Sequence, residues 1–175
     1  MNTESSPTFS QMEPLSVGVH SVSTLGQFRP NQSIAVFGAG PVGLLCMAVA
    51  KALGAKRVIG VDIVKERLDF ALSYAATDVF LPPKSNGEKS VDYSKRVTDL
   101  MMKELDLEQR GPKAIDLVVD ASGAEVCIQT GLFLVKFGGT FVQVSPRFSS
   151  ELRYYFIAQR LVWARPRSPS PYQYL

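Results

Sequence analysis

The sequence is short of the residues from which metal centres and disulfide frameworks are built. Its 175 residues include two cysteines, one histidine and no Cys-x-x-Cys pair. Because Cys46 falls inside a predicted helix, a disulfide framework is not expected, and the chain is predicted to be reduced and cytoplasmic. A catalytic zinc needs three converging protein ligands, and His20, Cys46 and Cys127 show no clustered spacing. We therefore predict neither a metal ligand nor a catalytic residue.

Long apolar runs and an excess of one charge are also missing from the body of the chain. No apolar run approaches 18 residues, and the polar residues 1–11, expected to be disordered, lack the pattern of a secretory signal, so no membrane role is predicted. The net charge is +3, but residues 145–175 hold five Arg and one Glu, which leaves 14 basic and 15 acidic side chains in residues 1–144. The folded body is therefore not predicted to bind nucleic acid.

The most informative stretch is a glycine-rich turn that follows a short apolar run. Residues 34–37 are apolar without helical spacing, and residues 38–43 then read G-x-G-x-x-G where a helix should begin. In this pattern Gly38 permits a tight turn, Gly40 lets the backbone approach a pyrophosphate, and Gly43 lets the helix lie close to the strand. The turn is predicted to bind the phosphates of a dinucleotide.

The residues around the turn support that interpretation. Pro41 and Val42 fall in the first helical turn, where proline is tolerated and free N–H groups attract phosphate, and Gly54 suits the end of the helix. A second apolar strand, 57–61, ends at Asp62, 19 residues after the last glycine and close to the roughly 20 expected for an acid that binds ribose. The alternative is a plain strand–helix–strand turn with a surface aspartate.

Strands and helices alternate along most of the chain. Further strands are predicted at 78–81, 115–119 and 140–144, and further helices at 12–27, 65–75, 92–106 and 126–134. This alternation predicts an α/β Rossmann fold with a doubly wound parallel sheet in the order 3-2-1-4-5. No clear sixth strand–helix unit follows Ser145, so the sixth strand is expected to be missing or altered.

In that strand order the crevice between strands 1 and 4 is the switch point at which ligands bind. The fourth strand ends in Asp120, Ala121, Ser122 and Gly123. These residues would flank one ligand together with the glycine turn, and Ser122 is predicted to contact the cofactor. A simple turn at the strand exit explains the same residues equally well.

Residues 145–175 form an atypical segment that mixes arginine with aromatic residues and ends in a proline-rich stretch. Such a segment could bind RNA or an acidic partner. We prefer the interpretation of a poorly ordered tail whose apolar part covers another surface or is simply adhesive. The abrupt loss of strand–helix periodicity at Ser145 predicts a truncated or mis-spliced product with a tail read in another frame.

Three segments, 12–22, 34–71 and 116–144, together resemble the zinc-dependent polyol dehydrogenases of the medium-chain dehydrogenase/reductase superfamily, of the xylitol and sorbitol dehydrogenase type. The resemblance implies an NAD-binding domain over 12–144, with Asp62 on the adenosine ribose hydroxyls and Arg67 beside the adenosine. The Asp62 carboxylate would repel the 2′-phosphate of NADP, which favours NAD.

The resemblance also implies what this chain does not contain. In the family a catalytic domain precedes the helix at 12–27 and supplies the zinc ligands, so zinc is expected only in full-length relatives. Glu13 matches a family glutamate near the zinc-bound water, but a role at the helix start is preferred here. Full-length relatives oxidise a polyol to a ketose by hydride transfer to NAD, whereas this chain is expected to show little or no turnover.

Other functions remain open at this point. A non-catalytic nucleotide-binding or interaction module would use the same turn, with the dinucleotide as ligand and an unknown oligomeric state. A methyltransferase also has a glycine turn and a strand-2 acid, but Gly43 favours the dinucleotide. A short-chain reductase is disfavoured because no tyrosine has a lysine four residues later.

Overall fold

Alternating strands and helices build one sheet in the computed structural model, which describes residues 14–144 and the strand at 159–162. The strands are β1 (Ser33–Phe37), β2 (Arg57–Val61), β3 (Asp78–Phe80), β4 (Ile115–Asp120), β5 (Val135–Gln143) and β6 (Gln159–Val162). The helices are α1 (14–25, π-helical over His20–Leu25), α2 (Pro41–Ala52), α3 (Lys65–Tyr74), α4 (Ser90–Glu104) and α5 (Glu125–Leu134). The expectations for residues 1–11, for Glu13 and for most of 145–175 lie outside the described residues.

The sheet has the order β3-β2-β1-β4-β5-β6, which confirms the predicted order of the first five strands. These five pair in parallel, and β1 lies at the centre, with Ile34 opposite Val58 of β2 on one side and Leu117 of β4 on the other. All five residues of β1 are buried. A strand covered on both faces by helices needs such a continuous apolar run, which is what the sequence provides.

The last two strands differ from a regular sixth unit. β6 pairs antiparallel with β5, so the sixth strand is present in altered form. β5 begins at Val135, earlier than the predicted start at Thr140, and runs through the glycine pair Gly138 and Gly139. Gly138 has a φ of +77°, and the register against β4 shifts between Ile115 and Leu117. The glycine pair therefore produces an irregular, bulged strand start.

Two apolar layers cover the two faces of the sheet. Ile34 and Val36 of β1 pack with α1, α2 and α3 on one face, and Ala35 and Phe37 pack with α4 and α5 on the other. The alternation along one strand follows from the period of two in an extended backbone. Both ends of α2 agree with expectation: Pro41 is its first residue, and Gly54 follows its end with a φ of +81°.

The apolar stripes of two helices are only partly buried. Val22 of α1 is fully buried, whereas Leu15 and Val19, which follow the same apolar spacing along the helix, are 45% and 44% exposed. α1 packs in the core through Val22 and also approaches α2 at Gly18, which lies against the backbone of Leu45. On α3, Leu72 is likewise exposed.

Gly43→Ala is expected to destabilise the domain, because a methyl group at this position would overlap the carbonyl oxygen of Gly38. Alanine gains about 1 kcal/mol in helix propensity, but a backbone oxygen cannot rotate away, so we expect a net loss of about 2 kcal/mol in the free energy of unfolding. Urea unfolding measures this change in free energy. Gly40→Ala is the control, since no atom lies within 4 Å of its added methyl group. Equal stability of the two variants would contradict the packing role of Gly43.

Candidate functional site

The glycine turn lies at the carboxyl end of the central strand, between the ends of its two neighbours. The Gly38 amide donates to the Val61 carbonyl of β2 at 2.7 Å, and the Phe37 carbonyl accepts from the Ala121 amide at 2.8 Å. Gly38 has a φ of +95°, a conformation that favours glycine. A Cβ atom on Gly38 would lie 3.1–3.2 Å from backbone atoms of Ala121 and Ser122. The glycine turn and the turn after β4 are thus in direct contact, as the switch-point prediction requires.

The N-terminus of α2 is open to a ligand. Gly40 is the N-cap residue, and no side chain caps the helix. The first helical bond is donated by Leu44 to the Gly40 carbonyl at 2.9 Å, so the amides of Val42 and Gly43 lie ahead of the helical ladder. No acidic residue lies in the first turn, and the space over Gly40 is empty to 4 Å. These amides and the helix dipole can receive an anion such as a diphosphate.

Asp62 connects the end of β2 to the glycine turn. Its Oδ2 accepts the Ala39 amide at 2.7 Å, and its Oδ1 accepts the Val64 amide at 2.9 Å. The side chain is 6% exposed. Each carboxylate oxygen has a second lone pair, so the carboxylate can still accept from a ligand hydroxyl while it holds the turn. The sequence predicted a ribose-binding acid at this position, but did not reveal its bond to the glycine turn.

Two exposed side chains flank Asp62. Arg67 on α3 is 58% exposed, with Nη1 3.8 Å from Asp62 Oδ2. Ile63 follows the acid directly and is 79% exposed. Ile63 was not predicted as a site residue, although its position directly after the strand-2 acid could have identified it as one. An acid between a cation and an exposed apolar side chain can hold a ligand that combines hydroxyl groups with a flat apolar ring.

Asp120 occupies the end of β4, where it is fully buried. Its Oδ1 accepts three hydrogen bonds: the Ser122 hydroxyl at 2.6 Å, the Ser122 amide at 3.0 Å and the Gly123 amide at 3.3 Å. Its Oδ2 has no hydrogen-bond partner among the residues that the structure describes. The Ser122 hydroxyl also accepts the Ala124 amide at 3.2 Å, so this predicted cofactor contact is engaged within its own turn.

The surroundings of Asp120 disfavour negative charge. Burial raises the pKa of the Asp120 carboxyl, and the hydrogen bonds from Ser122 and Gly123 oppose that rise only in part. Cys127 of α5 is nearby, and burial raises the pKa of its thiol, with smaller contributions from the charges of Asp120 and Asp62. Burial therefore shifts the equilibrium of Asp120 toward its protonated form, because a buried charge is costly.

Residues 14–144 contain no candidate metal site. No group of three or more His, Cys, Asp or Glu side chains there could hold a metal ion. His20 is exposed on α1, and Cys46 is buried in α2, where burial raises the pKa of its thiol to about 12. No helix in the described part of the chain is long and apolar enough to cross a membrane.

A separate cavity of about 370 Å³ lies between α4, α5 and β5. Phe133 and Phe137 are among the residues that line it, and it contains none of the predicted site residues. The carboxyl ends of the strands, not this cavity, bring together the glycine turn, Asp62 and the turn after β4.

Comparison with known proteins gives consistent results. The model of the family described as zinc-binding dehydrogenase matches residues 41–165. D-xylulose reductase A of Aspergillus niger is 51% identical over 132 residues, and the probable D-xylulose reductase A of Aspergillus clavatus is 48% identical over the same length. Each match covers 75% of this chain and 34% of the relative. The chain therefore spans about a third of the length of these relatives.

Solved structures of dehydrogenases are also similar to this chain over about a third of their own length. The alcohol dehydrogenase TADH of Thermus sp. ATN1 is 28% identical with a TM-score of 0.62, and the match covers 81% of this chain and 36% of that one. The galactitol-1-phosphate dehydrogenase of Escherichia coli is 26% identical with a TM-score of 0.56, over 75% of this chain and 34% of that one.

The raised pKa of Asp120 predicts how pH changes stability. The folded state holds the Asp120 proton more tightly than the unfolded state, so its stabilising contribution is complete below the unfolded pKa of about 3.9 and is lost as pH rises through the folded pKa. The Asp120→Asn variant has no titratable side chain at this position. Urea unfolding of both proteins between pH 4 and 8 should show the wild type losing free energy of unfolding relative to the variant. A relative gain by the wild type would contradict this.

Proposed function

The chain belongs to the zinc-binding dehydrogenase family, and on that premise we propose that residues 12–144 form the NAD(H)-binding half of a polyol dehydrogenase of the D-xylulose reductase type. The observation that carries the proposal is the bond from the Ala39 amide to Asp62, which joins a buried acid at the end of β2 to the glycine turn. An ordinary strand-exit turn does not need a carboxylate from the neighbouring strand.

The diphosphate of the cofactor would lie on the N-terminus of α2. The uncapped amides of Val42 and Gly43 and the positive end of the helix dipole supply attraction without a basic side chain. Gly40 leaves open the approach to the backbone, because a side chain there would fill the space that the ligand needs. Gly38 and Gly43 shape the turn, and Pro41 begins the helix.

The adenosine would lie over the end of β2. Asp62 would accept hydrogen bonds from the ribose hydroxyls, Arg67 would lie beside the adenosine, and the exposed Ile63 would pack on the adenine ring. A 2′-phosphate would meet the Asp62 carboxylate, so NAD should be preferred over NADP. Ser122, next to the first glycine, would contact the ligand from the β4 side.

The residues of this domain would bind and orient the cofactor. Bound NAD supplies the hydride acceptor for oxidation of an alcohol carbon. The described residues do not fit a zinc ion, so no step is assigned to zinc in this domain. We propose a polyol of the xylitol or sorbitol type as the substrate of the full-length relatives, and we expect this chain alone to turn over little or none of it.

Calorimetric titration of the full 175-residue chain tests the proposal. NADH, NADPH and S-adenosylmethionine are titrated separately, and xylitol oxidation is then assayed with NAD and added zinc. Selective binding of NADH without turnover is the expected result. Zinc-dependent turnover would overturn the assignment of cofactor binding alone, and binding of S-adenosylmethionine in place of NADH would indicate a methyltransferase. Failure to bind any of the three would overturn the proposal.

Asp62→Ala should weaken NADH binding and reduce the discrimination against NADPH, each by about tenfold, because the variant loses the ribose acceptor and the charge that opposes a 2′-phosphate. It should also lower the free energy of unfolding by about 1–3 kcal/mol, since the amides of Ala39 and Val64 lose their acceptor. Calorimetry and urea unfolding measure these changes.

Asp69→Ala is the matched control for Asp62→Ala. It removes the same charge from α3, where the Asp69 carboxylate is 60% exposed and forms an ion pair with Lys65. Its NADH affinity and discrimination should equal those of the wild type. Unchanged discrimination in Asp62→Ala would show that another group selects the cofactor.

Gly40→Ala should separate binding from folding. The added methyl group meets no protein atom within 4 Å, and a φ of −78° suits alanine, so the variant should fold normally. If the diphosphate lies over Gly40, the methyl group should raise the dissociation constant for NADH about tenfold, which calorimetry would detect. If this variant binds NADH with wild-type affinity, the phosphates do not lie over Gly40.

A further inference from the structure

The turn after β4 forms one wall of the switch-point crevice, and Asp120 holds its shape. One oxygen, Oδ1, accepts the amides of Ser122 and Gly123 and the Ser122 hydroxyl. Gly123 has a φ of +71°, one of several conformations that glycine adopts readily, so the hydrogen bonds to Oδ1 hold a turn that is otherwise free to change. Because Ala121 and Ser122 lie against Gly38, any movement of this turn changes the room above the first glycine.

We infer that Asp120 is a positioning residue for dinucleotide binding, which acts by fixing residues 121–123 against the glycine turn through Oδ1 alone. The inference rests on the proposed function of the domain. Asp120 is fully buried and does not itself reach the ligand. Its influence on the cofactor passes through the position of the turn and of Ser122.

Within the described residues, the hydrogen bonds to Asp120 fall on one of its two oxygens: all three donors meet Oδ1, and none meets Oδ2. Support of the turn therefore needs only one acceptor oxygen. An asparagine amide offers the same oxygen in the same shape.

Within the described residues, no positively charged group is among those that shift the pKa of Asp120. Phe37 of β1 and Gln143 of β5 lie opposite Asp120 in the sheet, and neither titrates. From α5, Cys127 brings a thiol whose pKa is raised by burial and, to a smaller extent, by the charges of Asp120 and Asp62. These surroundings agree with the raised pKa of the Asp120 carboxyl.

The test compares Asp120→Asn with Asp120→Ala in the full chain, with NADH as the probe. Asp120→Asn keeps the acceptor oxygen and should bind NADH within threefold of the wild type. Asp120→Ala leaves the amides of Ser122 and Gly123 without their acceptor and should raise the dissociation constant about tenfold. Amide hydrogen exchange at these two residues should accelerate at least tenfold in Asp120→Ala and stay near the wild-type rate in Asp120→Asn.

Leu117→Ala is the control for general destabilisation. It removes a buried side chain from the same strand, three residues away, and should lower the melting temperature while leaving both NADH affinity and exchange at Ser122 unchanged in the folded protein. A loss of affinity in Leu117→Ala equal to that in Asp120→Ala would reduce the role of Asp120 to stability and overturn the inference.

The outcomes separate the inference from the proposed function. Wild-type affinity and exchange in Asp120→Ala would overturn the inference and leave NADH binding intact. Loss of affinity in Asp120→Asn as large as in Asp120→Ala would also overturn it, because the charge and not the acceptor oxygen would then matter. Failure of the wild type to bind NADH would overturn both, even if exchange at Ser122 and Gly123 responded as expected.

Discussion

The close contact between the start of α2 and the end of β1 is the constraint on which the rest of the site depends. A methyl group on Gly43 would overlap the Gly38 carbonyl, so only glycine lets the helix begin this near to the strand. That proximity directs the open amides of α2 at the carboxyl end of the sheet, where β2 and β4 also end. Asp62 and the turn after Asp120 both contact the glycine turn there.

The sequence alone predicted those strands and helices whose local residue pattern agrees with their surroundings in the fold. β1 and β2 are short apolar runs that the sheet buries on both faces, and their bounds differ little from those predicted. The strand order followed from the alternation of strands and helices, because crossover connections leave few arrangements of a parallel sheet. The spacing from the last glycine to Asp62 reflects one helix and one strand, so the sequence located Asp62 at the end of β2.

Other features depended on contacts that a one-dimensional pattern does not contain. Leu15, Val19 and Val22 follow one apolar spacing along α1, but Val22 packs in the core while Leu15 and Val19 stay exposed. The glycine pair before Thr140 had the composition of a turn, yet pairing with β4 extends β5 through it. The bond between Ala39 and Asp62 joins positions 23 residues apart and has no signature beyond the acid itself.

The two acids at the crevice show how hydrogen bonding assigns different tasks to the same side chain. Asp62 accepts a backbone amide on each oxygen, an arrangement that suits a carboxylate and leaves lone pairs for ligand hydroxyls. Asp120 directs every donor to one oxygen and leaves the other buried without a partner. The Asp62 side chain is thus bonded to the glycine turn itself, whereas the Asp120 side chain is bonded within the turn that lies against Gly38. The two acids therefore support the glycine turn from the ends of the two strands that flank β1, one directly and one through the neighbouring turn.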